Sequence, residues 1–195
     1  MRKVSLAVAV LGAVSVVSSA KTQKIETIGG DGRPGFSATE LNWPMGIVLG
    51  PGHALYFSDR GNCVIRRLDL KTHAITIIAG DGKEGYTGDG GPASEAELGR
   101  AREIRFDKAG NLYVGDVSHN VVRRIDAKTK VITTIAGTGT TGYSGDGGPA
   151  IKAQFHGLSS LAFAHDGSLL IADTGNHRIR RLDLKTGIVT TFAGT

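Results

Sequence analysis

A long internal period constrains this chain more than any other property. Ala172–Asp183, ADTGNHRIRRLD, aligns with Gly115–Asp126, GDVSHNVVRRID, which aligns in turn with Ser58–Asp69, SDRGNCVIRRLD, each step being 57 residues. Asp59, Asp116 and Asp173 fall in register, as do Arg66-Arg67, Arg123-Arg124 and Arg180-Arg181, and then Asp69, Asp126 and Asp183. The register continues through ITIIAG (75–80), ITTIAG (132–137) and VTTFAG (189–194). A repeat of this period requires a stack of like units that bury one another's apolar faces.

Each unit reads as four short strands. In the middle unit they fall at 103–107 (A), 111–116 (B), 121–126 (C) and 131–136 (D), separated by Gly, Asp and Asn, with almost no helical periodicity. Four antiparallel strands in about fifty residues make one blade of a β-propeller. The fold class is therefore all-β, with three blades at 41–79, 98–136 and 155–194, and a lone N-terminal D strand at 21–29, KTQKIETIG, without A, B or C before it. Propellers run from about four to eight blades, so three do not close a ring. The expectation is half of a six-bladed propeller, with further blades beyond Thr195; the alternative is a self-completing homodimer.

Residues 1–20 stand outside the repeat. Arg2 and Lys3 precede a small, apolar run from Val4 to Val17 and then Ser18-Ser19-Ala20, the pattern of a cleaved secretory signal. Fourteen apolar residues fall short of the roughly 20 that span a bilayer. The expected location is secreted or periplasmic, with no membrane insertion after cleavage. Loss of Arg2 and Lys3 takes Lys+Arg from 23 to 21 against 18 Asp+Glu, leaving +3. That weak excess, much of it in the repeated arginines, does not point to nucleic acid. Cys63 is the single cysteine, so no intramolecular disulfide forms.

ADTGNHRIRRLD resembles the core pattern of the NHL repeat family of β-propellers. The loops GYTGDGGPA (85–93) and GYSGDGGPA (142–150) resemble those of secreted bacterial members and of teneurin-type propellers. The first unit departs: 30–41, GDGRPGFSATEL, is seven residues shorter and lacks GDGG. His occupies the name-giving position only at His177, with Cys63 and Asn120 elsewhere.

The Gly-rich loops join strand D of one blade to strand A of the next, on the same rim as the B-to-C turns. Candidate binding residues there are Tyr86, Asp89, Tyr143, Asp146, His156 and His177. Asp89 and Asp146, with nearby glycine carbonyls, have the chemistry of a Ca²⁺ site, a divalent cation being the only cofactor in view. The competing reading is that each Asp caps its own turn, and the spacing of known calcium loops is absent. No other metal set is assigned. His156 precedes the innermost strand, and Asn42, Glu103 and His156 are the axial residues that a metal-dependent propeller enzyme would use.

The paired arginines pose a packing problem first. Side chains alternate along strand C, and blades are covered on both sides, so one arginine of each pair must be buried. An unpaired buried arginine is costly, which predicts pairing of Arg66, Arg67, Arg123, Arg124, Arg180 and Arg181 with Asp59, Asp69, Asp116, Asp126, Asp173 and Asp183. One turn recurring in every unit suits a scaffold more than a catalyst. The sequence thus points to a non-catalytic binding scaffold for a protein, peptide or glycan. The alternative is a fragment of a metal-dependent propeller enzyme of the lyase or lactonase kind, and no catalytic residue is assigned.

Overall fold

A computed structural model describes residues 26–37 and 39–195. Blade 1 comprises β1 (Pro44–Gly50), β2 (Ala54–Asp59), β3 (Val64–Asp69) and β4 (Ile75–Ala79). Blade 2 comprises β5 (Ala101–Phe106), β6 (Leu112–Asp116), β7 (Val121–Ile125) and β8 (Ile132–Ala136). The two-residue β9 (Gly148–Pro149) precedes blade 3, which holds β10 (Leu158–Phe163), β11 (Leu169–Asp173), β12 (Arg178–Leu182) and β13 (Ile188–Ala193). In each blade the four strands pair antiparallel in chain order. Their A strands are innermost, β5 packing against β1 on one side and β10 on the other. The leader at 1–20 and the first part of the expected N-terminal strand lie outside the described residues. Residues 26–29, its remainder, are not in a strand.

Period-two alternation decides which side chains meet between blades. Ala54, Tyr56, Ile65 and Ala79 on the back of blade 1 form one core with Ile104, Leu112, Val114, Ile125 and Ile132 on the front of blade 2. The next core repeats this one: Tyr113, Val122 and Ala136 meet Leu158, Leu161, Leu169, Ile171, Leu182 and Val189. Tyr56 packs edge-on against Phe106, and Tyr113 does the same against Phe163, with centroids 4.8 and 5.1 Å apart. Every A strand also carries a bulge at its start, between Met45 and Ile47, Ala101 and Glu103, and Leu158 and Ser160. A bulge re-aims the strand where it meets the rim.

The C-to-D turns close by the same local chemistry three times. Asp69 Oδ1 accepts the amides of Lys71 and Thr72, Asp126 Oδ1 those of Lys128 and Thr129, and Asp183 Oδ1 those of Lys185 and Thr186. The Thr72 amide, the Arg67 side chain and the Lys71 amide hold the Asp69 carboxyl at about 2. The Thr129 and Lys128 amides, assisted by Arg124, do the same for Asp126. Their folded values lie below the unfolded ones, so the stability they contribute is present above the ordinary carboxyl value of 3.8 and is lost as pH falls towards about 2. Urea midpoints should accordingly be level from neutral pH to about pH 5 and drop between pH 4 and pH 2. Asp126→Asn should flatten that drop, and midpoints that rise on acidification would contradict the assignment.

Candidate functional site

The rim bearing the B-to-C turns is built by the loops that connect blades. Each long Gly-rich loop leaves strand D, crosses outward over the next blade and runs along that blade's outer edge before returning to its A strand. Gly90 N donates to Ile132 O, Ile132 N returns a bond to Gly91 O, and Ala93 N donates to Lys130 O. In blade 3 the equivalent segment, β9, pairs with β13 as a fifth strand. GDGG therefore covers a sheet edge that would otherwise present unpaired amides.

This crossing places Asp89 over the buried guanidinium of Arg123. Asp89 Oδ1 accepts from Arg123 Nε and Nη2 at 3.0 and 2.6 Å, and its Oδ2 accepts from Thr134 N at 2.7 Å. Burial raises the Asp89 carboxyl, but bonds from Thr134 and Arg123 outweigh it and hold the group below the usual carboxylate range. Asp146 repeats the arrangement. Its Oδ1 lies 2.7 Å from Arg180 Nη2, and its Oδ2 accepts the hydroxyls of Tyr143 and Thr191. Burial raises its carboxyl, but the bonds from Thr191 and Tyr143 and the charge of Arg180 outweigh it and leave the group likewise lowered. The two aspartates weighed above as cation ligands or turn caps have both oxygens engaged as arginine counter-ions and edge caps.

Arg66, Arg123 and Arg180 are nearly inaccessible to solvent, whereas Arg67, Arg124 and Arg181 are partly exposed. Each buried guanidinium also ties the loop's backbone to the blade. Arg123 donates to Glu97 O and Thr87 O at 2.8 Å, Arg180 to Ser144 O and Gln154 O, and Arg66 to Phe36 O, Ser37 O and Glu40 O. Blade 1 lacks GDGG, and there Asp59 is the carboxylate, its Oδ2 lying 2.7 Å from Arg66 Nε, off the line of the N–H bond. Asp173 supplies a second carboxylate for Arg180 at 3.3 Å.

Two expected pairings differ. Asp116 faces Gly99 N and His119 Nδ1 rather than Arg123, which takes Asp89 instead. Arg181 turns to Asp166 and Ser168, while Asp183 serves its C-to-D turn. Arg67 and Arg124 do pair with Asp69 and Asp126, at 3.0 and 2.9 Å.

A signal for the cross-loop pairing was present in the sequence. Thr134 and Thr191, which bind the loop, occur in the two units preceded by GDGG, while the first unit has Ile77 at that place. The loop and its docking residue change together.

The remaining candidates are spread along the rim. His156 is exposed, its amide bound to Asp173 Oδ1 and its ring lying over the Cα of Gly175. Asn42 covers Gly61 in the same way, whereas in blade 2 the pair is reversed to Gly99 and Ser118. His177 closes its turn at φ 55°, and Cys63 and Asn120 close theirs at 54° and 50°; this position is chosen for left-handed backbone, which Asn tolerates well. Glu103 is engaged by Arg105 and by Ser160 Oγ. Among the described residues no group of three or more His, Cys, Asp or Glu side chains is placed to hold a metal ion.

Aromatic residues of the connecting loops mark one station on every blade. The rings of Phe36, Tyr86 and Tyr143 lie 5.7, 5.4 and 5.0 Å from the guanidiniums of Arg66, Arg123 and Arg180. Tyr86 also stacks on His119, and Tyr143 lies 4.0 Å from Arg178. Trp43, 65% exposed, adds a fourth ring beside Arg60. Sequence reading passed over Trp43, whose register places hold Arg100 and Gly157, and over Phe36, although GDGRPGF (30–36) aligns with GDGKEGY (80–86) and GTGTTGY (137–143).

No family model matches the chain. NHL repeat-containing protein 2 of Bos taurus is 32% identical over 159 residues, covering 76% of this chain and 22% of that protein. Teneurin-1 of Mus musculus is 28% identical over 188 residues, covering 86% of this chain and 7% of its own length. The chain thus spans under a quarter of these relatives. Among solved structures, a Bacteroides thetaiotaomicron protein of unknown function superposes with a TM-score of 0.62 at 23% identity, covering 79% of this chain and 36% of that one. Virginiamycin B lyase of Staphylococcus aureus superposes at 0.52 with 17% identity, over 83% of this chain and 43% of the lyase. The repeat register, the four-stranded blades and these relatives place the chain in the NHL-repeat family of β-propellers.

Proposed function

We propose that the chain is an extracytoplasmic binding scaffold that takes a protein or peptide on the rim formed by the connecting loops and B-to-C turns. The observation that carries this reading is the row of loop aromatics, one per blade, each seated against an arginine: Phe36, Tyr86 and Tyr143, with Trp43 beside them. Aromatic and arginine side chains are the groups enriched in protein interfaces and their hot spots. Here their backbones are held by the edge-strand loops and the buried arginines, so ordering them on binding costs little. The extracytoplasmic setting rests on the apolar leader at 1–20.

A random peptide display library and a glycan array, screened with the immobilised chain, test the assignment. Selected peptides should lose affinity at least about tenfold on Trp43→Ala or Tyr143→Ala, the loss usual for an interface anchor. Lys128→Ala, in a C-to-D turn away from this rim, should leave binding unchanged. Ligands that are exclusively glycans, or that respond to Lys128 and not to Trp43, would overturn it.

A further inference from the structure

Blades 1 and 2 share one core but part from each other at the rim of the A-to-B and C-to-D turns, opposite the B-to-C turns. A cavity of about 450 Å³ lies between them there. Small-molecule sites span about 300–1,000 Å³. Tyr56, Ile78, Phe106 and Ile125 make its apolar lining.

The repeat shows why the blades part. The C-to-D turns read DLKT (69–72), DAKT (126–129) and DLKT (183–186), so Ala127 stands where the other units have Leu70 and Leu184. In blade 3, Leu184 packs onto the core built with Tyr113, Leu169 and Leu182, the counterparts of Tyr56, Leu112 and Ile125. Ala127 stops short of that position, and it faces a glycine. A Cβ added at Gly110 would lie 3.6 Å from Ala127 Cβ and 3.7 Å from Pro51 Cγ, in ordinary contact with both. An apolar cavity of the kind left by a leucine-to-alanine exchange stays open and takes up small apolar molecules.

The mouth of the cavity is cationic. Arg67 and Lys130 both line it. The carboxylates nearby are already matched: Asp69 with Arg67 at 3.0 Å, and Asp126 with Arg124 at 2.9 Å and with the amides of Lys128 and Thr129. Lys130 is left over. Its ammonium bonds Ala127 O, and among the described residues it forms no ion pair. Lys130 also departs from the other units, which have His73 and Gly187 in its place. Two departures from the repeat, one opening apolar room and one adding a charge, thus fall on the same cavity.

We propose that this cavity binds a small monocarboxylic acid. Its compact apolar body takes the place of the missing leucine side chain against Tyr56, Phe106 and Ile125, and its carboxylate lies at the mouth with Lys130 and Arg67. A neutral molecule would leave the ammonium unmatched, an amine would meet two cations, and a second carboxylate would fall near Asp126. The site shares no residue with the aromatic row of the other rim, so a peptide bound there and an acid bound here do not compete.

Isothermal titration of the 195-residue chain with 3-phenylpropionate and with its uncharged amide tests the site. The acid should bind saturably at one site per chain and about tenfold more tightly than the amide, the difference expected for one hydrogen bond to a charged group. Ala127→Leu should abolish binding of both while its urea midpoint holds or rises, since it restores the residue of the other units. Lys130→Gln should bring the acid down to the affinity of the amide and leave the amide unchanged. That variant reads the charge without filling the cavity, so the test stands even if the leucine variant unfolds. No saturable binding in the millimolar range, equal affinity for acid and amide, or an Ala127→Leu variant that binds like the parent would each overturn the proposal.

Discussion

Arg123→Ala is expected to destabilise the chain by about 3–5 kcal/mol, the range for truncating a large, fully buried side chain to alanine. The guanidinium is 0% exposed and satisfies Asp89 Oδ1, Glu97 O and Thr87 O together. Its loss leaves two loop carbonyls without donors beside a side-chain cavity, and frees the loop from the blade it crosses. Arg123→Lys should recover little. A single ammonium lacks the planar fork that serves a carboxylate and two carbonyls at once. Asp89→Asn should cost less than Arg123→Ala, because the Asp89 side chain is 41% exposed and water reaches what the change uncovers. Arg124→Ala, whose partner Asp126 lies at the surface, should cost least of the three. Urea unfolding of the four variants gives the order directly. An Arg124→Ala loss as large as that of Arg123→Ala would show that burial is not what makes the pair matter.

The blades were legible because their determinants are local and repeated. Apolar alternation, Asp at the head of each C-to-D turn and Gly after each D strand recur in phase, and each acts within a few residues of itself. The identity of the arginine partners was not legible in the same way. Asp116 stands only 7 residues before Arg123 and Asp89 stands 34 before it, yet the outward path of the loop brings the distant one onto it. His177 attracted a functional reading through its chemistry, yet its backbone at φ 55° is the shared property of Cys63, Asn120 and His177, which have no chemistry in common. Trp43 was missed for the opposite reason, since its register places hold Arg100 and Gly157 and no recurrence draws attention to it. Whatever distinguishes this rim from a generic one lies in such unrepeated positions.

Gly137→Ala is the second change expected to be large, at about 2–4 kcal/mol, combining backbone strain with a collision that neither side can avoid. Gly137 follows strand β8 at φ 94°, a conformation that L side chains rarely adopt. A Cβ there would lie 2.4 Å from Asn120 O and 2.9 Å from Val121 Cα. Both are backbone atoms of the neighbouring strand and its turn, so no rotamer change relieves the overlap. Gly80 and Gly194 stand in the same relation to Cys63 O and His177 O, at 2.4 Å each, which is why the last residue of ITIIAG, ITTIAG and VTTFAG does not vary. Gly187→Ala separates the two causes. Gly187 has φ 72° with nothing within 4 Å of its would-be Cβ, so it incurs the backbone strain alone, about 1 kcal/mol. The difference between the two variants in chemical denaturation therefore measures the collision. Gly137 N also donates to Ala150 O at the far end of the loop that carries Tyr143 and Asp146. Amide exchange in Gly137→Ala should speed up over 138–150 before the blades themselves open, and peptide binding at the rim should weaken with it. Equal losses in the two glycine variants, with the loop amides still protected, would mean that the D-strand glycine does not set the path of the binding loop.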